Sequence, residues 1–283
     1  MTRMAVRDVH FNIEMRQAGP ALLLLHGFTG SSAAWEPYVE AWSEFTTIAV
    51  DLLGHGRSDC PADPDRYRME CCVADLLAVL DTLGVERTAV LGYSLGGRVA
   101  LHLALHAPER LWALILVSAS PGIEDAGERE ERRASDAALA AVIERDGIVA
   151  FVDRWQALPL FATQARLPAP VRAELRRQRL NNTPRGLANS LRGLGAGMQE
   201  PALYRLGQLR VPTLLLAGAL DAKYCQLARR MEAALPEARC LITLESGHAI
   251  HLEQPAFFMH SVRAFLNRCR QNQSGKKENL SCA

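Results

Sequence analysis

The chain has 283 residues, 49% hydrophobic and 22% charged, with a net charge of +1. That length can bury a full core and fits one domain carrying an insertion better than two independent domains. The balanced charge gives no global attraction to nucleic acid or to an anionic membrane surface, and no apolar run approaches the ~20 residues of a membrane helix.

Residues 3–17 alternate loosely and predict one or two strands, closed by a turn at Gly19-Pro20. Ala21–Leu25 is a continuous apolar run, so it reads as a buried strand feeding the glycine-rich loop His26-Gly27-Phe28-Thr29-Gly30. A helix over Ala33–Ser43, a strand over Thr46–Val50, a loop from Asp51 to Ser58 and a helix over Met69–Leu83 follow. Strand Thr88–Leu91, helix Leu95–Ala107 and strand Leu111–Val117 continue the alternation. This pattern predicts an α/β class with a mostly parallel central sheet and helices on both faces.

The alternation then breaks. From Gly122 to Gly207 there are helical segments (Glu128–Arg145, Ile148–Ala157, Pro170–Leu180, Gly186–Leu194) and no strand, which predicts a helical cap insertion. Strand Val211–Ala217, helix Tyr224–Leu235, strand Cys240–Leu244 and a helix from Pro255 to Arg268 resume the core. The expected plan is core over 1–120, cap over 121–207, core again over 208–270, and a disordered polar tail over 271–283.

Seven cysteines without C-x-x-C spacing fit a reducing compartment, and no apolar segment follows Met1-Thr2-Arg3-Met4, so the expected location is cytoplasmic. His102 and His106 form an i,i+4 pair, but no H-E-x-x-H pattern accompanies them. They are expected on the helix surface, and no metal or organic cofactor is expected.

The chemistry concentrates at strand ends, where open α/β sheets bind ligands. Gly92-Tyr93-Ser94-Leu95-Gly96-Gly97 lies between a strand and a helix, the context that turns G-x-S-x-G into a nucleophile elbow with Ser94 at its tip. A serine hydroxyl is a poor nucleophile or base until a histidine takes its proton and an acid orients that histidine. Asp221, after one strand, and His248, after the next, supply these in the chain order Ser, Asp, His. Asp125 is the alternative acid and His251 the competing histidine. Backbone N–H groups of Leu95 and Phe28 are the expected oxyanion donors. His26 and the Asp51–Gly56 loop read as structural. Between Arg166 and Arg205 there are eight arginines against Glu174 and Glu200 alone, which is either a solvated face or a pocket for a polyanionic small molecule. Arg98, four residues past Ser94, fits the second reading better.

Several stretches together carry a family resemblance: His26-Gly27-Phe28-Thr29-Gly30-Ser31, Gly92–Arg98, Ser120-Pro121-Gly122, Glu128–Asp136, Pro159-Leu160-Phe161, Ser190-Leu191-Arg192-Gly193 leading to Gln199, Asp221-Ala222-Lys223-Tyr224, and Gly247-His248. The chain up to its C-terminal tail resembles the 2-succinyl-6-hydroxy-2,4-cyclohexadiene-1-carboxylate synthases of menaquinone biosynthesis, lyases of the α/β-hydrolase fold. The resemblance implies a polycarboxylate substrate that loses pyruvate to give a ring diene, with Ser94 as base. It implies Arg98, Arg132 and Arg179 as carboxylate-binding residues, with neighbours Arg133 and Arg177 as alternatives, and Tyr93 and Trp155 as active-site aromatics. One departure is Leu53, where such folds commonly carry proline. The same triad would also serve a C–C-bond hydrolase or a small-acid esterase; a non-catalytic binding protein of this fold would need a triad member lost, and none is. Monomer and homo-oligomer both remain open.

Overall fold

The computed structural model describes residues 2–281, with side chains as far as Asn272. Eight strands, β1 (Thr2–Val6), β2 (Val9–Arg16), β3 (Ala21–Leu25), β4 (Thr46–Val50), β5 (Thr88–Tyr93), β6 (Leu111–Val117), β7 (Thr213–Gly218) and β8 (Ala238–Thr243), form one sheet in the order β1-β2-β4-β3-β5-β6-β7-β8. The pairs β1/β2 and β2/β4 are antiparallel, and every pair from β4 to β8 is parallel. Strand order reverses between β3 and β5, which opens a crevice beyond their carboxyl ends.

The continuous apolar runs of the inner strands reflect burial on both faces. In β3, Leu23 and Leu25 join Val50, Val90, Leu114 and Leu215 under α1 (Met69–Thr82) and α2 (Leu95–His106). Leu22 and Leu24 point the other way, toward Trp35, Trp42, Ile115 and Phe258. Each leucine removed from water in this way contributes about 1.5–3 kcal/mol.

The spacing over Ala33–Ser43 predicts an α-helix, but the chain makes 3-10 turns over Ser32–Trp42 with Pro37 inside. Proline lacks the N–H and crowds the carbonyl four residues back, so a regular α-helix cannot run through it. His102 also departs from expectation. His106 is exposed, whereas His102 is half-buried with an unpartnered Nε2, because α2 packs against both the sheet and α1.

Between β6 and β7 lie α3 (Ala126–Gln156), 3-10 turns over Pro159–Arg166, α4 (Ala169–Leu180), α5 (Pro184–Leu194) and further 3-10 turns over Leu203–Gln208. Gly147, at φ 78°, breaks α3 into the two helices that the sequence pattern predicts. Asp125 caps α3 by accepting from the Glu128 N–H at 2.8 Å. The insertion has its own core of Ile143, Phe151, Val152, Leu187 and Leu191, against which Phe28 of the β3 loop and Trp155 pack. This contact ties the cap to the sheet end.

α6 (Ala222–Ala234), a short α7 (Ile250–Glu253) and α8 (Pro255–Ser281) complete the fold. The backbone of α8 is helical through Ser281, where the polar composition predicts a frayed tail; no proline interrupts it. Met1, residues 282–283 and the side chains from 273 onward lie outside the described residues. Among the described residues no helix is long and apolar enough to cross a membrane.

Candidate active site

β5 ends in a turn tight enough to need small residues. A methyl group on Gly92 would lie 2.2 Å from the Gly96 carbonyl oxygen, and one on Gly96 would lie 2.3 Å from that of Leu25. Ser94 sits at the tip with φ 51° and ψ −108°, a conformation that costs an L residue on the order of 1–3 kcal/mol. The surrounding backbone holds it there. Its N–H donates to Val117 at 2.9 Å, and its carbonyl accepts from Arg98 at 3.0 Å in the first turn of α2.

The strain aims the hydroxyl at His248. Ser94 Oγ lies 3.0 Å from His248 Nε2, and His248 Nδ1 lies 2.8 Å from Asp221 Oδ2. The carboxylate partner makes Nδ1 the protonated nitrogen and leaves Nε2 to accept the serine proton. Asp221 Oδ1 also accepts from the Tyr224 N–H at 3.3 Å, so one side chain caps α6 and orients the histidine. Asp125, engaged at the start of α3, is not the triad acid. His251 is a buried neighbour of Tyr93, their ring centroids 4.4 Å apart, and is not the triad base. Burial pushes its imidazole down to about 3.

Three contacts hold His248 from behind. The Ser118 hydroxyl donates to the His248 carbonyl at 2.8 Å. The Glu253 carboxylate accepts from the N–H groups of Gly247 at 2.7 Å and Ala249 at 3.2 Å, on either side of the histidine. The ring of Tyr224 packs edge-on to the imidazole at 4.5 Å. Sequence pattern alone singles out neither Ser118 nor Glu253, because their partners are set by where strand ends meet.

The triad opens on a cavity of about 780 Å³ roofed by the cap. Ser94, Leu95 and Arg98 form its floor with the Gly27-Phe28 loop, and a Cβ placed on Gly27 would lie 3.5 Å from that of Ser94. Leu95 is the first residue of α2, where N–H groups have no intrahelical acceptor. Trp155, Phe161 and Arg179 line the roof. Trp155 meets Phe28 edge-on at 5.3 Å, and Phe161 lies 6.2 Å from His248.

The adjacent arginines separate clearly. Arg132 lines the cavity, its Nε donating to Asp136 at 2.9 Å, while Arg133 pairs with Glu130 at 2.8 Å and is not part of the wall. Arg179 is buried in the wall, with Nη2 donating to Gln164 at 3.1 Å and the guanidinium over the Phe161 ring. Arg177 pairs with Glu174 and is mostly exposed. Arg98 donates from Nη1 to Gln199 at 3.3 Å. Burial, with Arg132 nearby, lowers Arg98 to about 10, so it stays charged at neutral pH. Burial lowers Arg179 as well.

His26 Nε2 accepts from the Leu52 N–H at 3.0 Å, and Asp51 binds the Arg57 N–H and the Asn12 amide. Both therefore brace the loops beside the site. Among the described residues no group of three or more side chains is arranged to hold a metal ion.

The sheet, the elbow and the Ser94-His248-Asp221 triad define an enzyme of the α/β-hydrolase fold, and the model of that fold family matches residues 20–255. The chain is 41% identical over 93% of its length to a putative 2-succinyl-6-hydroxy-2,4-cyclohexadiene-1-carboxylate synthase of Bacillus subtilis, covering 94% of that protein. It is 35% identical to the synthase of that name from Serratia proteamaculans, over 87% of this chain and 93% of that one. The solved structure of MenH from S. aureus superposes with a TM-score of 0.88 at 34% identity, covering 92% of this chain and 99% of that one. The chain belongs to the 2-succinyl-6-hydroxy-2,4-cyclohexadiene-1-carboxylate synthase family. A thermophilic esterase from Thermogutta terrifontis, 24% identical with a TM-score of 0.82 over 95% of this chain and 99% of that one, shares the fold.

Proposed function

We propose that the protein is a lyase that eliminates pyruvate from 2-succinyl-5-enolpyruvyl-6-hydroxy-3-cyclohexene-1-carboxylate to give 2-succinyl-6-hydroxy-2,4-cyclohexadiene-1-carboxylate. The observation that carries this reading is a serine triad opening on a cavity whose most enclosed cations, the partly buried Arg98 and the buried Arg179, have no ion-pair partner among the described residues. A substrate with several carboxylates supplies what those guanidiniums lack.

In this reading Ser94, its hydroxyl proton drawn to His248 Nε2, removes the ring proton alpha to the succinyl carbonyl. The electron pair passes into the ring system, and negative charge gathers on the carbonyl oxygen, which the N–H groups of Phe28 and Leu95 receive. The ring carbon–oxygen bond to the enolpyruvyl group then breaks and a second ring double bond forms. The departing enolpyruvate takes a proton and tautomerises to pyruvate, so no water is consumed. Arg98, Arg132 and Arg179 hold carboxylates, and Tyr93 and Trp155 frame the ring, which converts part of the barrier into prior binding.

The test is product identity. Purified protein should release pyruvate from this substrate without incorporating solvent oxygen, and Ser94→Ala should lose most of that activity. Acyl hydrolysis, with solvent oxygen in a product carboxylate, would instead establish the serine-hydrolase alternative, for which the same triad suffices.

A further inference from the structure

The chain holds its buried arginines in two different ways. Arg66, whose side chain is 13% exposed, is gripped by two carboxylates, with bonds to Asp75 at 2.6 and 2.8 Å and to Asp8 at 2.8 Å. Such a guanidinium is neutralised where it stands and braces β1 and α1 locally. Arg98 and Arg179 are built otherwise. Each has a neutral amide where Arg66 has acids: Gln199 Oε1 accepts from Arg98 Nη1 at 3.3 Å, and Gln164 Oε1 accepts from Arg179 Nη2 at 3.1 Å.

These amides are themselves fixed. Gln199 is 1% exposed and donates from Nε2 to the Ser120 carbonyl at 3.3 Å; Gln164 is 7% exposed, within the 3-10 turns that lie over His248. An amide oxygen orients a guanidinium by accepting one N–H, yet carries no net charge to cancel the cation. Leaving an enclosed cation without an ion pair costs stability. Arg179 has no carboxylate acting on it, and Arg98 feels only the field of Asp136, which it does not pair with. At position 164 glutamate would match glutamine in length and shape and supply the charge; at 199 the amide is also needed to donate to Ser120. Arg132 is a mixed case, half-exposed and bonded through Nε to Asp136. The two most enclosed cations of the cavity are thus the two held by amides.

We propose that Gln199 and Gln164 are positioning residues that keep Arg98 and Arg179 aimed and free of an ion pair, so that the first carboxylates these guanidiniums bind directly are those of the substrate. This deepens the function proposed above and rests on it for the identity of the substrate. The reserve of positive charge sets affinity for a polycarboxylate, while the proton transfer at Ser94 does not pass through either amide.

The experiment compares Gln199→Glu, Gln164→Glu, Gln199→Met and Gln164→Met with the wild type. Glutamate keeps the acceptor and adds the missing charge, cleanly at 164 and with loss of the bond to the Ser120 carbonyl at 199; methionine keeps the length and removes the acceptor. Steady-state pyruvate release, thermal unfolding and calorimetric binding of citrate, a generic tricarboxylate, are the readouts. Each glutamate variant should raise KM and weaken citrate binding at least about tenfold, with kcat changed far less and, for Gln164→Glu, the unfolding midpoint unchanged or higher. Each methionine variant should raise KM less than its glutamate counterpart. A KM for the glutamate variants within about threefold of wild type, or methionine variants as impaired as the glutamates, would overturn the proposal. The two glutamines sit on separate elements, so a variant that fails to fold at one position leaves the other to decide. Failure of the wild type to release pyruvate would sink the lyase reading alone, because citrate affinity still decides what the amides do.

Discussion

The hydroxyl of Ser118, at the end of β6, donates to the carbonyl of His248 at 2.8 Å across 130 residues of sequence. Together with the Glu253 carboxylate on the N–H groups of Gly247 and Ala249, it fixes the backbone that carries the imidazole. Glu253→Gln leaves one of those N–H groups without an acceptor, at a cost of about 1–3 kcal/mol. The expected result is a lower unfolding midpoint and a fall in kcat with KM nearly constant. Ser118→Ala should do the same more weakly, at about 1 kcal/mol. Denaturant unfolding combined with steady-state kinetics separates the two effects; a raised KM with normal kcat would contradict the positioning role.

Asp221 serves two donors, the His248 imidazole and the Tyr224 N–H. Asp221→Asn keeps an oxygen for the helix cap but presents an amide N–H to the histidine, favouring the wrong tautomer. Turnover should fall on the order of 10³–10⁴-fold, with a stability change of about 1 kcal/mol or less. Equal losses of stability and activity would instead mean that its main task is holding α6.

Two glycines should respond differently to alanine. At Gly96 the added methyl meets the Leu25 carbonyl oxygen at 2.3 Å and that of His26 at 2.6 Å. Both are backbone atoms that cannot step aside, so Gly96→Ala should cost more than about 4 kcal/mol or prevent folding. At Gly147 the methyl meets nothing within 4 Å, and only the backbone conformation, φ 78° with ψ 174°, opposes it, so Gly147→Ala should cost about 1–3 kcal/mol. Equilibrium unfolding and soluble yield distinguish the two outcomes.

Four imidazoles, three of them buried and His102 half-buried, are held in neutral form. Desolvation lowers His26, takes His55 and His251 to about 3 and, with Arg98 adding repulsion, takes His102 to about 4, all from an ordinary 6.5. Below pH 6.5 the unfolded chain binds protons that these folded histidines refuse, so stability is full above that pH and is lost as pH falls toward 3–4. His102, outside the cavity wall, gives a clean probe. His102→Leu should shrink the loss between pH 7 and pH 5 by about 1–2 kcal/mol. Urea titrations at the two pH values measure it, and an unchanged difference would show that His102 is not among the responsible groups.

The strands were legible because apolar runs between glycine and proline punctuation admit few other readings, and the triad was legible because each member follows a strand. The 3-10 turns over Ser32–Trp42 escaped the helical period because Pro37 overrides it locally. Ser118 and Glu253 escaped for a different reason: a hydroxyl and a carboxylate without a motif gain meaning only from the loop packed beside them. Local spacing could not choose between Arg132 and Arg133 or between Arg177 and Arg179. The direction each side chain takes from its helix, toward the cavity or toward a neighbouring glutamate, separates them.

The roof side chains Trp155, Phe161, Gln164 and Arg179 all come from one uninterrupted length of chain between β6 and β7, whereas Ser94, Asp221 and His248 come from strand ends outside it. The two halves of the site are therefore separable in inheritance. Recombination that replaced only the intervening segment would leave the proton relay standing and install a new lock above it.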